Sequence, residues 1–317
     1  MCNYSIYVRT LGKGGEKYAQ LLKSIQNQTI PPRKVVIVLP YGYEPPKERL
    51  GYEIFEFSQK GMLQQRIYAI YHVETEYILL LDDDVSFENS FVEKLYATIK
   101  KANADCAIAP LTNDRQHQRK LSNFIGRITR TQIIRNEDTP FYIEINRLGG
   151  YSIQKELCPN KVYYTQSAHG SHCFIKSKCI QNIHFEEELW LEKSGYALPD
   201  DQVMFYKIFK HGYKIAVCTN SNFYHLDAAS TGRIDRKIKL FYAKSHNFLI
   251  FWYKFIYKDE KKYINRLKDK IAITYRIISE FIFLVIPTTL VYFTHSYIVS
   301  YVKGLKDGIK AIRSNRF

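Results

Sequence analysis

"YILLLDDDVSF", residues 77–87, sets Ile78, Leu79, Leu80 and Leu81 directly before Asp82, Asp83 and Asp84. A short, unbroken apolar run reads as a strand buried on both faces, and such strands belong to largely parallel sheets. Strands disfavour Asp, so the three acids mark the strand's end. In open α/β sheets ligands bind outside the carboxyl ends of the strands, which is where these acids fall.

The flanking sequence carries the same alternation. "YSIYV" (4–8) is β-rich and runs into Gly12, Gly14 and Gly15, after which Tyr18, Leu21, Leu22 and Ile25 recur at helical spacing. Pro31 and Pro32 close that helix, and "KVVIVLP" (34–40) reads as a buried strand. "YEIFEF" (52–57) reads as a shorter strand, followed by a helix from about Met62 to His72. "NSFVEKLYATIKK" (89–101) is helical with Asn89 as candidate N-cap, and "CAIAP" (106–110) is a further strand. Strands alternating with helices predict an α/β fold with a mostly parallel central sheet flanked by helices. Residues 111–170 are polar and weakly periodic, and read as loops and short elements around a site. Beyond them "HCFI" is a strand, "PDDQVMFYKIFKHG" (199–212) a helix closed by Gly212, and "YKIAVC" (213–218) a strand.

Bulk properties bound the function. A chain of 317 residues with 46% hydrophobic and 15% aromatic content can bury a large core, which excludes a disordered chain. The net charge of +15 calls for an anionic partner. Residues 228–317 hold 18 Lys/Arg against 6 Asp/Glu, so most of the excess belongs to the C-terminal part. There the basic residues interleave with apolar helices and no nucleic-acid motif occurs, so nucleic acid is not the expected partner. "FIFLVIPTTLVYFTHSYIVS" (281–300) lacks Asp, Glu, Lys and Arg and is long enough to cross a bilayer. Pro287, Thr288, Thr289, His295 and several Tyr make an interfacial or shallowly inserted helix pair the favoured reading, with a span or a buried core helix as alternatives. Flanking cations suit an anionic cytoplasmic leaflet. Six scattered cysteines without a CxxC pair, and no apolar segment at the N-terminus, fit free thiols in a reducing cytoplasm.

Two carboxylates one residue apart past a rigid strand can both reach a hard divalent cation such as Mg²⁺ or Mn²⁺, whose remaining ligands come from phosphates and water. A metal-bound diphosphate would offset the repulsion within the triad. A solvated acidic turn is the alternative.

From about residue 4 to 227 the ordered set of motifs resembles bacterial family 2 glycosyltransferases, GT-A-fold enzymes that use nucleotide-sugars. The resemblance rests on "YSIYVRT", "YAQLLKSIQNQTIPPRKVVIV", "KGMLQQR" (60–66), the triad, "GSHCFIKSKCI", "FEEELW", "PDDQVMFYKIFKHGYKIAV" and "NFYHLD". It implies that Asp84 and Asp82 are the outer acids of a D-x-D motif, with Asp84 on a Mn²⁺ or Mg²⁺ ion and Asp82 on ribose or sharing the metal. Asp83, Thr10 and Arg66 would lie on the nucleotide, and His169 would line the donor pocket. Asp201 would be the base of an inverting transfer, with Asp200 capping its helix, and His225 would complete the metal shell. Trp190 and Asp200 would face the acceptor. The family's usual base-reading acid after the second strand is replaced by "VVIVLPYGYE", where neither Leu39 nor Pro40 can accept a hydrogen bond through its side chain. No zinc site is expected at His172 and Cys173, because neighbouring strand residues point apart.

The implied organisation is a GT-A domain over residues 1–231, with a donor half to about 110 and an acceptor half from 111, and a basic, aromatic, membrane-associated helical extension over 232–317. The implied activity is sugar transfer from a nucleotide-diphosphate donor to a lipid-linked or polysaccharide acceptor at the cytoplasmic face of the cytoplasmic membrane. The alternatives are a nucleotidyltransferase, echoed by "LGKGGEKY", and a non-catalytic membrane-associated binding protein.

Overall fold

The computed structural model describes residues 2–112, 120–137, 139–159, 161–168, 170–226, 234–315 and 317. The first half alternates as expected: β1 (Tyr4–Arg9), α1 (Glu16–Gln26), β2 (Lys34–Pro40), β3 (Ile54–Ser58), α2 (Met62–His72), β4 (Tyr77–Asp82), β5 (Val85–Phe87), α3 (Phe91–Ala102) and β6 (Cys106–Ile108). The middle stretch is made of short pieces: α4 (Lys120–Ile128), β7 (Gln132–Arg135), β8 (Ile143–Ile145), β9 (Tyr151–Gln154) and β10 (Tyr163–Tyr164). Next come β11 (His172–Lys176), α5 (Ser177–Asn182), a 3₁₀ segment (Phe185–Ser194), α6 (Asp200–Lys210), β12 (Ile215–Val217) and β13 (Phe223–His225). The chain ends in α7 (Ile234–Trp252, followed by a π-helical turn), α8 (Tyr263–Glu280), a second π-turn (Phe281–Val285), α9 (Ile286–Tyr292) and α10 (Ser296–Ser314).

Among the described residues eight strands form one sheet in the order β10-β12-β6-β11-β4-β1-β2-β3. β4, β1, β2 and β3 are mutually parallel, and β11 inserts antiparallel between β4 and β6. Because β11 runs backwards, its start meets the end of β4: His172 pairs with Leu81, and the Asp82 N–H donates to the Ser171 carbonyl at 3.1 Å. The parallel register of β1 and β4 puts Arg9 beside Asp82. Two apolar cores cover the sheet faces. One includes Leu21, Leu22, Ile25, Leu95 and Ile99 from α1 and α3. The other includes Leu63, Ile70, Met204 and Phe205 from α2 and α6. Alternate residues of β4 serve the two, Leu79 and Leu81 one, Ile78 and Leu80 the other, as pleating requires.

The expected helix cap at Asn89 is Ser90 instead, without a side-chain bond. The boundary expected between 231 and 232 lies outside the described residues. Beyond it, Ile250, Phe251 and Phe255 enter the same core as α2 and α6. The buried Asn247 amide donates to the carbonyls of Leu191, Tyr196 and Leu198 and to Ser194 Oγ, at 2.6–3.3 Å. The 281–300 stretch is not one helix. Phe293 takes a left-handed φ of 48° and separates α9 from α10. Among the described residues, one helix is long and apolar enough to cross a membrane, Tyr263–Tyr292.

Candidate active site

An arginine–carboxylate network closes the carboxyl ends of β1 and β4. Arg9 Nε and Nη2 donate to the two oxygens of Asp82 at 2.5 and 3.1 Å, and its Nη1 reaches Asp200 Oδ2 at 3.2 Å. Arg66, on the buried face of α2, donates to Asp200 Oδ2 and Asp201 Oδ1, each at 3.0 Å, and to the Gly170 carbonyl at 3.1 Å. Three elements distant in the chain therefore meet on two guanidiniums, whose planar forks suit bidentate carboxylate pairing. The triad's neighbourhood and the later acid pair thus share one site. The cavity among Arg9, Arg66, Asp82 and Gly170 measures only about 10 Å³, barely room for one water. A larger ligand must lie in front of the network, over the strand ends.

Electrostatics separate the acids. Burial alone would raise Asp82, but the Arg9 guanidinium outweighs it and holds the carboxyl below its ordinary value. Asp83 is raised, first by burial and then by Asp84 and Asp82, against the hydrogen bond it accepts from Thr10 Oγ1 at 2.5 Å. The same hydroxyl accepts the Gly12 N–H at 3.0 Å, which folds the loop after β1 over Asp83. Asp201 is pushed up to about 6, first by burial and then by the adjacent Asp200, only partly countered by Arg66 and Arg9. Its side chain remains 33% exposed. Gly170 makes this placement possible, since a Cβ there would stand 1.5 Å from Asp201 Oδ1.

Asp84 and His225 are brought together by β5 and β13, which pair antiparallel with His225 opposite Val85. The Leu226 N–H donates to the Asp84 carbonyl at 2.7 Å, and His225 Nε2 lies 3.2 Å from Asp84 Oδ1. An oxygen and an imidazole nitrogen at that separation fit two positions of a divalent-cation shell. Among the described residues no cluster of three or more His, Cys, Asp or Glu could hold a metal. Remaining ligands would have to come from phosphate and water, as is usual for Mg²⁺.

Several expectations are corrected. Both oxygens of Asp82 face the Arg9 guanidinium, whereas Asp84 lies against His225. Asp200 neither caps α6 nor faces an acceptor: Pro199 is the cap residue, and the buried Asp200 carboxylate bridges Arg9 and Arg66. Trp190 is 2% exposed and packs in the core, its indole N–H donating to the buried Glu188 at 2.7 Å. It has no free ring face for a sugar. His169 lies outside the described residues. His172 is buried between Phe91 and Phe223 and accepts the Ala109 N–H at 2.8 Å, a packing role. Sequence reasoning missed Arg9, although a cation ending β1 beside an acid ending β4 was legible once the two strands were paired.

Comparison with known proteins gives a consistent fold. Residues 14–158 match the family model described as glycosyl transferase family 2. No curated protein sequence matches the chain. Among solved structures the chain is similar to TarS residues 1–349 of S. aureus, at 15% identity and a TM-score of 0.55 over 98% of this chain and 80% of that one. It is also similar to the same TarS fragment in complex with UDP-GlcNAc, at 13% identity and a TM-score of 0.53, covering 98% and 81%. GalNAc-T7 with UDP, GalNAc and Mn²⁺ aligns at 12% identity and a TM-score of 0.54, covering 88% of this chain and 54% of that one. The expected GT-A-like fold, a large mixed sheet flanked by helices, is the fold observed.

Proposed function

We propose, from the match of residues 14–158 to the glycosyl transferase family 2 model, an inverting, metal-dependent transfer of a sugar from a nucleotide-diphosphate donor to a lipid-linked or polysaccharide acceptor. The observation that carries the proposal is the divided acid set. Asp82 is neutralised by Arg9, Asp84 is free to share a cation with His225, and Asp201 stands partly open with its carboxyl raised to about 6. A base with a value just below the working pH is mostly ionised and still accepts a proton readily. Arg66 occupies Asp201 Oδ1, leaving Oδ2 for the acceptor hydroxyl. Asp201 takes that proton as the acceptor oxygen bonds to the anomeric carbon and the bond to the nucleoside diphosphate breaks. Thr10 and Asp83 fix the loop over the nucleotide side. A Mn²⁺ or Mg²⁺ ion held by Asp84 and His225 would neutralise charge on the departing diphosphate. The solved neighbours with UDP-GlcNAc and with UDP, GalNAc and Mn²⁺ make UDP-linked N-acetylhexosamines the first donors to try.

The C-terminal helices support membrane association lying in the plane of the surface. Ile264, Leu267, Ile271, Tyr275, Ile278 and Ile282 are exposed at helical spacing along Tyr263–Tyr292. The opposite face is tied to the body. Arg147 donates to the buried Asp269 at 2.7 Å, Arg276 pairs with Glu280 at 3.1 Å, and Arg276 also reaches the Leu148 carbonyl at 2.6 Å. Crossing a bilayer would separate Asp269 from Arg147 and Arg276 from the Leu148 carbonyl, leaving buried charged groups without those partners. Lying on an anionic surface costs none of them.

The test is incubation with a panel of nucleotide-sugars with and without Mn²⁺, comparing the native chain with Asp201→Asn and assigning the product anomer by NMR. Metal-stimulated release of nucleoside diphosphate, reduced about 10²–10⁴-fold in the variant, and an inverted linkage are expected. Unchanged turnover in Asp201→Asn would remove the mechanism, and release of pyrophosphate would replace it with nucleotidyl transfer.

A further inference from the structure

Beside the proposed base the fold keeps a cation that has no anion. Lys244 lies on α7 one turn ahead of Asn247 and Phe248, and side chains three and four residues apart share a helix face. Those two neighbours therefore fix where it points. Asn247 donates to the Leu198 carbonyl at 2.6 Å, in the segment that leads into Asp201. The Phe248 ring lies 4.3 Å from the Arg276 guanidinium of α8. Lys244 thus projects between the 196–201 segment on one side and α8 on the other. A short turn joins the two sides. Gln202, next in sequence to Asp201, donates to the Gly149 carbonyl at 2.7 Å, and Arg276 donates to the adjoining Leu148 carbonyl at 2.6 Å.

The charges in this recess do not balance. Its acid is Glu280, and both oxygens are taken: Oε1 accepts from Arg276 Nε and Oε2 from the Tyr301 hydroxyl, each at 3.1 Å. Arg276 and Glu280 are buried. Among the described residues the Lys244 ammonium has no hydrogen bond and no ion pair, and it senses Glu280 and Arg276 only at longer range. Burial lowers the value of this ammonium first of all. Two cations are left sharing one acid that is already occupied. A charge held out of water without a partner is unfavourable until an anion joins it, and groups perturbed in this way collect at binding sites.

We propose that Lys244, backed by Arg276, receives an anionic group of the acceptor, so that the acceptor is an acidic saccharide carrying a carboxylate or a phosphate. This names the substrate of the site described above and rests on the transferase reading. The carboxylates of Asp82, Asp200 and Asp201 would repel such a sugar, and a cation standing outside their arginine network offsets that repulsion. A charge-assisted hydrogen bond from Lys244 also holds the sugar ring in one orientation, while Asp201 takes the proton of its hydroxyl.

Acetylation of the full chain, read lysine by lysine through peptide mass spectrometry, tests the binding without any donor. Methyl glucuronide and glucose 6-phosphate should slow acetylation of Lys244, and the neutral methyl glucoside should not. Whichever acid protects at the lower concentration identifies the anionic group. The better acid should bind at least about tenfold more tightly than the neutral sugar. Lys244→Met should abolish that preference and melt no lower than the native chain, because it removes a surplus charge. Lys239→Met, on an exposed residue of the same helix, should keep the preference. Failure of both acids to protect Lys244, equal protection by the neutral sugar, or an unchanged preference in Lys244→Met would overturn the proposal. A clearly lower melting temperature in that variant would overturn it too, by making Lys244 a packing residue. Nucleoside diphosphate release from UDP-sugars, measured on the same samples, reports separately on the transferase reading: release without an acid preference sinks this inference alone, and an acid preference without release sinks the reaction assigned to the site. Where transfer occurs, Lys244→Met should raise KM for the acidic acceptor at least about tenfold and leave kcat near native.

Discussion

Asp201 combines a carboxyl raised to about 6 with partial solvent access, and that has consequences for both rate and stability. Transfer should fall about tenfold per pH unit below 6 and level off above it, since only the ionised carboxylate accepts a proton. In Asp201→Asn the residual rate should be flat across that range. The sign for stability is opposite. A folded-state value above the unfolded one means that the native chain holds the proton more tightly, so stability declines as pH rises from about 4 to about 6. Asp201→Asn should therefore melt slightly higher than the native chain at pH 7.5, by about 1 kcal/mol once solvent screening is allowed for. Arg9 behaves in reverse. Arg9→Met strands Asp82 and Asp200 and should cost about 3–5 kcal/mol at neutral pH. Asp82 is lowered in the native fold, so the deficit in urea melts should shrink as pH falls below about 4 and Asp82 protonates in native and variant chains alike. At this scale the acids of the site were legible, because a strand-end triad and an acid pair at a helix start announce themselves by type and place. Their partners were not. Composition shows that Trp190 is a tryptophan but not which way it points, and it gives no sign that Asp200 serves two arginines rather than a helix cap.

Short elements hold the site together, and here the sequence was least informative. β5 and β13 have three residues each, too few for alternation to register, yet their pairing is what puts His225 within 3.2 Å of Asp84. His225→Ala should raise the Mn²⁺ concentration needed for half-maximal nucleotide binding by roughly 10–100-fold, read by calorimetry with UDP, while leaving the melting temperature without metal nearly unchanged. Gly170 precedes β11 because only a residue without a side chain lets the Asp201 carboxylate rest against the backbone there. Gly170→Ala should reduce transfer by about 10² or more while circular dichroism remains native. Long elements were read well. The β1–α1–β2 unit, α2, β4 and α6 follow from apolar periodicity, which two large cores then enforce. The 281–300 segment lacks Asp, Glu, Lys and Arg, and its favoured reading as a helix pair did not locate the break, which falls at Phe293.

For the whole molecule, the uneven charge and the aromatic C-terminal part implied a surface partner, and the exposed stripe along Tyr263–Tyr292 is the face proposed to meet it. Ile271→Asp with Ile278→Asp should lower partitioning onto anionic vesicles about 100-fold while donor hydrolysis in solution continues. What composition could not reveal is that these helices also complete the interior: α7 supplies Phe251 and Phe255 to the main core and Asn247 to the loop before α6. A chain released only to residue 230 holds the strands, both arginines and the Leu63–Glu192 contact, but lacks the amide that ties the segment from 191 to 198, ahead of the proposed base Asp201, to α7. Under the proposed function, transfer would wait for the C-terminal helices, which carry both that amide and the apolar face proposed to meet the membrane.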